Sequence, residues 1–442
     1  MIVEGEGAPP SGLQALIDAV PLSALQVRVV LLCTLVSVTE GIDLTMIPLL
    51  APAIAKAWSL PSGAFGAIFA AGPIGLIVGG FAMGYFADRF GRRASLIGAM
   101  VLMTVATLAT AWIHTVPEML VCRIATGIGF GGVIPASTAL VSEFLATRVR
   151  ASVVAFVILG QNLGAVVATF MAKQLLGTHD WQDIIVLTGG ICAATTLLLF
   201  VALPESPRYL LLRQPGGARI GAMLARLGIT TMPSAEAERG DAARRGSVAD
   251  LFRHGRALGT VLLWATFIGV CAEVSFFTNW LTLIYTYAGK PAAIGMTAIG
   301  VYSLGGVVSG LIIPLFCPRF TVIRVLMACA LAGAASVAGL GAVLGGGYAL
   351  NMALSFACGL FVPGAFYLVY PPAVGFYPTA IRSTGVGAAV AFGRIGNVIS
   401  PAAAGAMLSA GIGPHMVFWV MAAPMVLTFV AIGLFRRLVK AS

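Results

Sequence analysis

The sequence predicts an all-α membrane protein of twelve transmembrane helices in two six-helix halves, and three observations carry that prediction. The 442 residues are 59% hydrophobic and only 10% charged, with a mean hydropathy of +0.99, a balance that places the chain among membrane proteins. Its apolar content would fill roughly twelve spans of about 20 residues each. Twelve apolar runs are present, six on each side of a polar stretch, and basic residues gather in the loops of one side.

Residues 1–26 form an N-terminal segment without a basic region followed by a small-residue cleavage site, so a cleaved signal is not expected. Leu13, Leu16 and Ile17 are placed along the membrane surface. The first half, 27–203, holds apolar runs at 27–50, 62–84, 94–115, 117–142, 152–175 and 182–203. A linker follows over 204–257. The second half, 258–436, holds runs at 258–286, 292–315, 322–344, 348–371, 383–407 and 413–436, ahead of a tail at 437–442.

The stretch from Pro204 to Gly259 carries nine arginines against five acids and contains Pro215-Gly216-Gly217, as a polar connector would. Arg89, Arg92, Arg93, Arg148, Arg150, Arg319, Arg324 and Arg382 fall in loops on the same side, while the opposite side has little beyond Lys56, Lys173 and Lys290. By the positive-inside rule the linker and both termini are cytoplasmic. That rule also accounts for the net charge of +10 without a nucleic-acid partner. All seven cysteines lie in or at the ends of apolar runs without metal-site spacing, and read as packing residues. No nucleophile, metal or phosphate-loop pattern stands in a plausible context, so neither an enzyme nor a cofactor is expected.

Function is first suggested by Glu40-Gly41-Ile42-Asp43, which puts two acids inside the first span. An acid near the middle of a spanning helix costs roughly 2.5–3.5 kcal/mol on insertion scales and usually faces a cavity or partner on an ion or substrate path. Glu40 and Asp43 are three residues apart and share one helix face. They are the candidate proton carriers, and Glu273, at a similar depth in the seventh span, is a third.

Arg123 enters the fourth span about 9 Å from its outer end, a depth similar to that of Asp43; a substrate or coupling role and a structural ion pair both fit it. The glycines after it, Gly127 to Gly132, stand in an apolar run without a preceding strand, and read as close helix packing. Gln161 and Asn162 in the fifth span are candidate substrate hydrogen-bonders or helix-to-helix donors. Asn279 and Trp280 in the seventh, with Tyr302, Tyr367 and Tyr370, are candidate site walls, Trp280 also fitting an interfacial anchor. Arg394 lies near the midplane of the eleventh span. Its planar fork suits a carboxylate, either of an anionic substrate or of an acid such as Glu273.

The junction Gly84-Tyr85-Phe86-Ala87-Asp88-Arg89-Phe90-Gly91-Arg92-Arg93 resembles the signature loop of the major facilitator superfamily, and the resemblance extends over the chain through the six-plus-six arrangement. It implies that Gly84, Asp88, Arg89, Gly91, Arg92 and Arg93 help hold the halves together in the outward-facing state. The repeat expected between spans eight and nine is reduced to Arg319-Phe320, with Pro318 in place of the acid. Glu143 with Arg148 and Arg150, and Pro204-Glu205-Ser206-Pro207-Arg208, resemble the inner salt-bridge cluster of sugar porters, organic ion transporters and aromatic acid symporters; a breakable cytoplasmic lock involving Glu143, Arg148, Glu205, Arg208 and Arg382 is expected.

Pro21-Leu22, Gln26, Glu40-Gly41-Ile42-Asp43, Tyr377-Pro378-Thr379 and Gly393-Arg394-Ile395-Gly396 together resemble the aromatic acid:proton symporter branch of that superfamily. There the first span usually reads Asp-Gly-Phe-Asp, so Glu40 and Ile42 are departures that keep the acid chemistry and leave the substrate open. The resemblance implies an inner-membrane importer of an aromatic carboxylate, coupled to protons by alternating access and expected as a monomer. A transporter of another organic anion such as a sugar acid, an exporter, and a sensor that binds without moving its ligand are the rival readings; the two buried arginines argue against export of a cation.

Overall fold

A capping box starts the first spanning helix. In the computed structural model, which describes residues 12–61, 63–213, 216–233, 247–378 and 381–441, the Ser23 and Gln26 side chains satisfy each other's backbone N–H groups. Such a box pairs donors that a helix start otherwise leaves open. The Gln26 amide also donates to the Phe144 carbonyl at 2.7 Å, which fixes one end of the helix against the fourth span.

A short helix, α1 (Leu13–Ala19), precedes α2 (Ala24–Ala57), α3 (Ala64–Phe90), α4 (Arg92–Thr110), α5 (Val116–Phe144), α6 (Thr147–Leu175) and α7 (Trp181–Ala202). The linker holds α8 (Pro207–Arg213), α9 (Ala218–Leu227) and a 3-10 turn at Val248–Phe252. The second half holds α10 (Ala257–Tyr287), α11 (Ala292–Ile312), α12 (Cys317–Phe320), α13 (Val322–Val343), α14 (Tyr348–Leu368), α15 (Tyr370–Phe376), α16 (Arg382–Ser409), α17 (Pro414–Met421) and α18 (Ala423–Ala441). Among the described residues there are twelve helical segments long and apolar enough to cross a membrane. The end of the bundle that carries α8, α9 and the start of α2 is here termed the linker end, and the opposite one the far end.

Within the first half α3 and α4 pack on α5, and α2 packs on α6; in the second, α10 packs on α16 and α11 on α14. These pairs approach closely because small residues meet backbone. A Cβ on Gly75 would overlap the Ile124 carbonyl, and one on Gly127 the Gly72 carbonyl. The glycine run of the fourth span is thus a helix-packing surface, as small residues between membrane helices should be.

The halves meet through α3 and α16, α6 and α11, and α2 and α10. At the far end this contact is tight: Gly66 abuts Gly405, Phe69 packs edge-on to Trp280 at 5.2 Å, and Lys173 donates to Thr297 at 3.3 Å. Toward the linker end a Cβ on Gly84 of α3 or Gly387 of α16 would meet nothing within 4 Å. The bundle is closed at the far end, and these two glycines face open space.

Two expectations change. Leu13 and Ile17 do not lie along a membrane surface; they are 3% and 1% exposed and join the core of the first half, because Asp18 ties α1 to the head of α6 through the Thr147 N–H and hydroxyl. The junction from Gly84 is helical to Phe90, and the turn into α4 is made by Gly91 alone, whose φ of +101° suits glycine. Within the linker, α9 buries Ile220, Met223, Leu224 and Leu227. Pro215 and Thr379 lie outside the described residues.

Candidate functional site

Gly41 sets the position of the two acids in α2. A Cβ there would overlap the Gln161 carbonyl of α6, so glycine lets α6 cross α2 beside Glu40 and Asp43. Both acids are 2% exposed and close enough to interact with each other. Burial of this kind demands compensation, because a carboxylate without partners in a low-dielectric interior is costly.

Asp43 finds it in two places. Thr107 of α4 donates its hydroxyl to Asp43 Oδ1 at 2.6 Å, and Arg123 of α5 faces the same carboxylate. No ion pair closes between Asp43 and Arg123 among the described residues, and Asp43 Oδ2 is left without a hydrogen bond. Thr107 belongs to a stripe with Thr104 and Thr110, all buried, at a spacing that puts hydroxyls on one helix face. Neighbouring pairs Thr39–Thr195 at 2.9 Å and Thr104–Thr196 at 3.1 Å extend this polar seam. The sequence reading missed Thr107, although its three-residue threonine spacing was legible.

Glu40 faces the other basic group, Arg394. Arg394 projects from α16 across the boundary between the halves and donates from Nη1 to the Leu76 carbonyl of α3 at 3.0 Å. Gly80 makes room for it, since a Cβ there would overlap Arg394 Nη1. Neither Leu76 nor Gly80 was singled out in the sequence, because only the approach of the two halves reveals them. The alternative of a permanent bridge to Glu273 does not fit: the groups facing Arg394 are Tyr370, Cys271 and Glu40.

Around Arg394 the second half supplies aromatic surface. Tyr370 packs edge-on to Phe267 at 5.3 Å and to Phe366 at 5.8 Å, and Tyr367 lies beside Phe366 at 6.1 Å. The Tyr367 hydroxyl accepts from Asn162 Nδ2 at 2.7 Å, which joins α6 of one half to α14 of the other. Gln161 is half-buried and lends its backbone to the α2 crossing.

Other candidates stand elsewhere. Trp280 is fully buried, donates to the Pro401 carbonyl at 3.1 Å and meets Phe69; it packs at the far end and does not anchor at a lipid interface. Asn279 caps its own helix turn by donating to Ser275 O at 2.8 Å. Glu273 is 0% exposed, with neither carboxylate oxygen hydrogen-bonded, and its titratable neighbours are Tyr302 and Cys358. Tyr302 stacks on Phe277 at 4.9 Å.

Most of the gating candidates form a chain of contacts between the first half and the linker. Arg92 pairs with Asp88 at 2.9 Å and with Glu143 at 3.5 Å, and Glu143 also faces Arg208. Glu205 accepts from the Arg93 N–H at 3.0 Å, while the Arg93 guanidinium donates to the carbonyls of Leu203 and Phe200 at 2.7 and 2.6 Å. Arg89 lies over the Phe90 ring at 5.6 Å, and Arg382 donates to the Tyr377 carbonyl at 3.3 Å. Arg148 does not join the cluster: it is exposed on the first turn of α6, and Arg92 holds the place beside Glu143.

Comparison with known proteins agrees with this architecture. A family model described as Major Facilitator Superfamily matches residues 33–373. The chain is similar to the 4-hydroxybenzoate transporter PcaK of Acinetobacter baylyi, 32% identical over 397 residues, covering 87% of this chain and 85% of that one. It is also similar to the gallate transporter of Pseudomonas putida, 29% identical over 424 residues, covering 94% and 93%. Among solved structures, the inward-open xylose transporter XylE from E. coli superposes with a TM-score of 0.74 at 20% identity, covering 93% and 96%.

Proposed function

The chain belongs to the major facilitator superfamily, and from that premise we propose that it imports a small aromatic carboxylate across the inner membrane together with protons, by alternating access. The linker end, with its surplus of arginine, is assigned to the cytoplasm. The observation that carries the reading is Arg394, a guanidinium set between the halves, facing Glu40 and edged by Tyr370. The names of the relatives, transporters of 4-hydroxybenzoate and gallate, support the substrate class.

Coupling follows from competition for one cation. While Glu40 is ionised it attracts Arg394, and a substrate carboxylate must compete for the same fork. A proton arriving from the far side neutralises Glu40 and leaves Arg394 free for the substrate, with the ring against Tyr370 and Tyr367. Asp43 acts with Arg123 and Thr107 as the second proton site in the first half, and Glu273 is assigned as a third titrating group in the second half. Opening at the linker end then releases anion and proton together. In the return cycle Arg394 rests on Leu76 and Glu40, so no unpaired charge crosses.

Arg394 reads charge and not the ring, which keeps proton-coupled uptake of another organic anion, such as a sugar acid, as the second reading; a non-transporting sensor is the third. The deciding experiment is uptake of labelled 4-hydroxybenzoate into proteoliposomes with and without an inward pH gradient, comparing the parent with Arg394→Ala and Asp43→Asn. Gradient-driven accumulation in the parent, lost in both variants, is expected. Binding without accumulation would favour the sensor, and neither binding nor uptake would direct the panel to sugar acids.

A further inference from the structure

We propose that the linker end of the first half carries a separate site for a phosphate group, independent of the substrate and proton groups. A cavity of about 720 Å³ opens there between the junction of α3 and α4 and the linker helices α8 and α9. Among the described residues five arginines line it, Arg89, Arg93, Arg213, Arg219 and Arg226, against the single carboxylate of Glu205.

That carboxylate is already engaged. Glu205 Oε1 accepts from the backbone N–H of Arg93 and of Ser206 at 3.0 and 2.9 Å, and the group lies where a side chain on Gly91 would fall. Arg93 and Arg213 donate to carbonyl oxygens, which orients them and pairs neither with a carboxylate among the described residues. Arg219 and Arg226 stand seven residues apart, two turns along α9. Both are exposed, and neither has a hydrogen-bond or ion-pair partner among the described residues. A concave surface with this surplus of one sign concentrates anions, and guanidinium forks match the oxygen geometry of phosphate.

The cavity is larger than a single phosphate needs, and its remaining wall is apolar, with Leu25, Leu210 and Met223. A phosphate carrying a short glycerol-like group fits this mixture. Two sources offer it: the headgroup of an anionic phospholipid, for which the half-exposed Phe90 of the lining gives an apolar border, and a soluble phosphate ester. Either would join α9 to Arg89 and Arg93, which flank the turn at Gly91, so occupancy is linked to the gating turn.

The test uses the purified full chain in detergent, titrated with phosphatidylglycerol, phosphatidylcholine, inorganic phosphate and glycerol 3-phosphate, for the parent and the double variant Arg219→Gln/Arg226→Gln. Both arginines are exposed on α9, away from the transport groups, and a thermal melt checks the fold. The parent is expected to bind phosphatidylglycerol about tenfold or more tightly than phosphatidylcholine, with this preference lost in the variant and weakened by salt. Binding of glycerol 3-phosphate or phosphate without lipid identifies a soluble source; binding of phosphatidylglycerol alone identifies the headgroup. No preference for phosphatidylglycerol together with no binding of soluble phosphate, or a variant that binds as the parent does, overturns the proposal.

Discussion

Arg394 of the second half donates to the Leu76 carbonyl of the first at 3.0 Å, in a space kept open by the missing side chain of Gly80. One guanidinium therefore spans the boundary that alternating access has to open and close. Arg394→Lys keeps the charge and loses the fork, and charge-assisted hydrogen bonds are worth about 1.5–3 kcal/mol. Uptake at low substrate is expected to fall by about tenfold to a hundredfold, measured as initial rates in proteoliposomes.

Gly80→Ala leaves every charge in place and pushes Arg394 from its rest position. The expected outcome is a several-fold loss of uptake with Arg394 present, and no further loss when Gly80→Ala is added to the Arg394→Lys variant. A double-mutant cycle on transport reads this directly, since residues in contact fail to add. Additive losses would place Gly80 in packing alone.

Thr107→Val removes the hydrogen bond to Asp43 at 2.6 Å while keeping the side-chain volume. A buried acceptor deprived of its donor costs about 1–3 kcal/mol. The pH dependence of uptake is expected to move in Thr107→Val and to return in Thr107→Ser, which restores the hydroxyl. An unchanged profile in the valine variant would remove Thr107 from the proton site.

Gly84 faces open space in this state, so Gly84→Val should fold normally and obstruct closure of the linker end. Uptake is expected to be abolished while the melting temperature stays near that of the parent. A cysteine placed at the exposed Phe81 should remain open to a bulky maleimide from the linker side in the valine background, with or without substrate.

Asp18 holds α1 on α6 by accepting from the Thr147 N–H at 2.7 Å and hydroxyl at 2.9 Å and from Gln14 at 2.9 Å, and the bond from the Thr147 N–H, first among these, keeps its carboxyl below the ordinary carboxylate range. A depressed pKa contributes docking stability that is present above the ordinary value and is lost as pH falls through the lowered one. Docking of α1 should thus survive mild acid, whereas Asp18→Asn should loosen it at neutral pH. Hydrogen exchange over residues 13–19 measures both.

Much of the candidate site is legible in the sequence because charge inside an apolar run is conspicuous. Glu40, Asp43, Arg123, Glu273 and Arg394 each interrupt a hydrophobic stretch, and the cost of burying them marks them before any coordinates exist. Trp280 is ambiguous in sequence for the opposite reason: an aromatic residue near a span end has the same signature whether it faces lipid headgroups or the other half. Arg148 and Arg92 are likewise equivalent as basic residues in loops, and only the path of α4 decides which of them reaches Glu143.

The sequence by itself determined the twelve spanning helices and the presence of three acids and two arginines inside apolar runs, since each follows from local hydropathy and from the cost of buried charge. Only the tertiary structure decided the pairing: Arg394 with Glu40 and Leu76, Asp43 with Thr107 and Arg123, and Glu273 apart from both arginines. Depth along a helix is a one-dimensional coordinate that sequence supplies. Which faces meet depends on the glycine-mediated crossings at Gly41 and Gly75 and on the approach of the two halves, which bring together residues hundreds of positions apart.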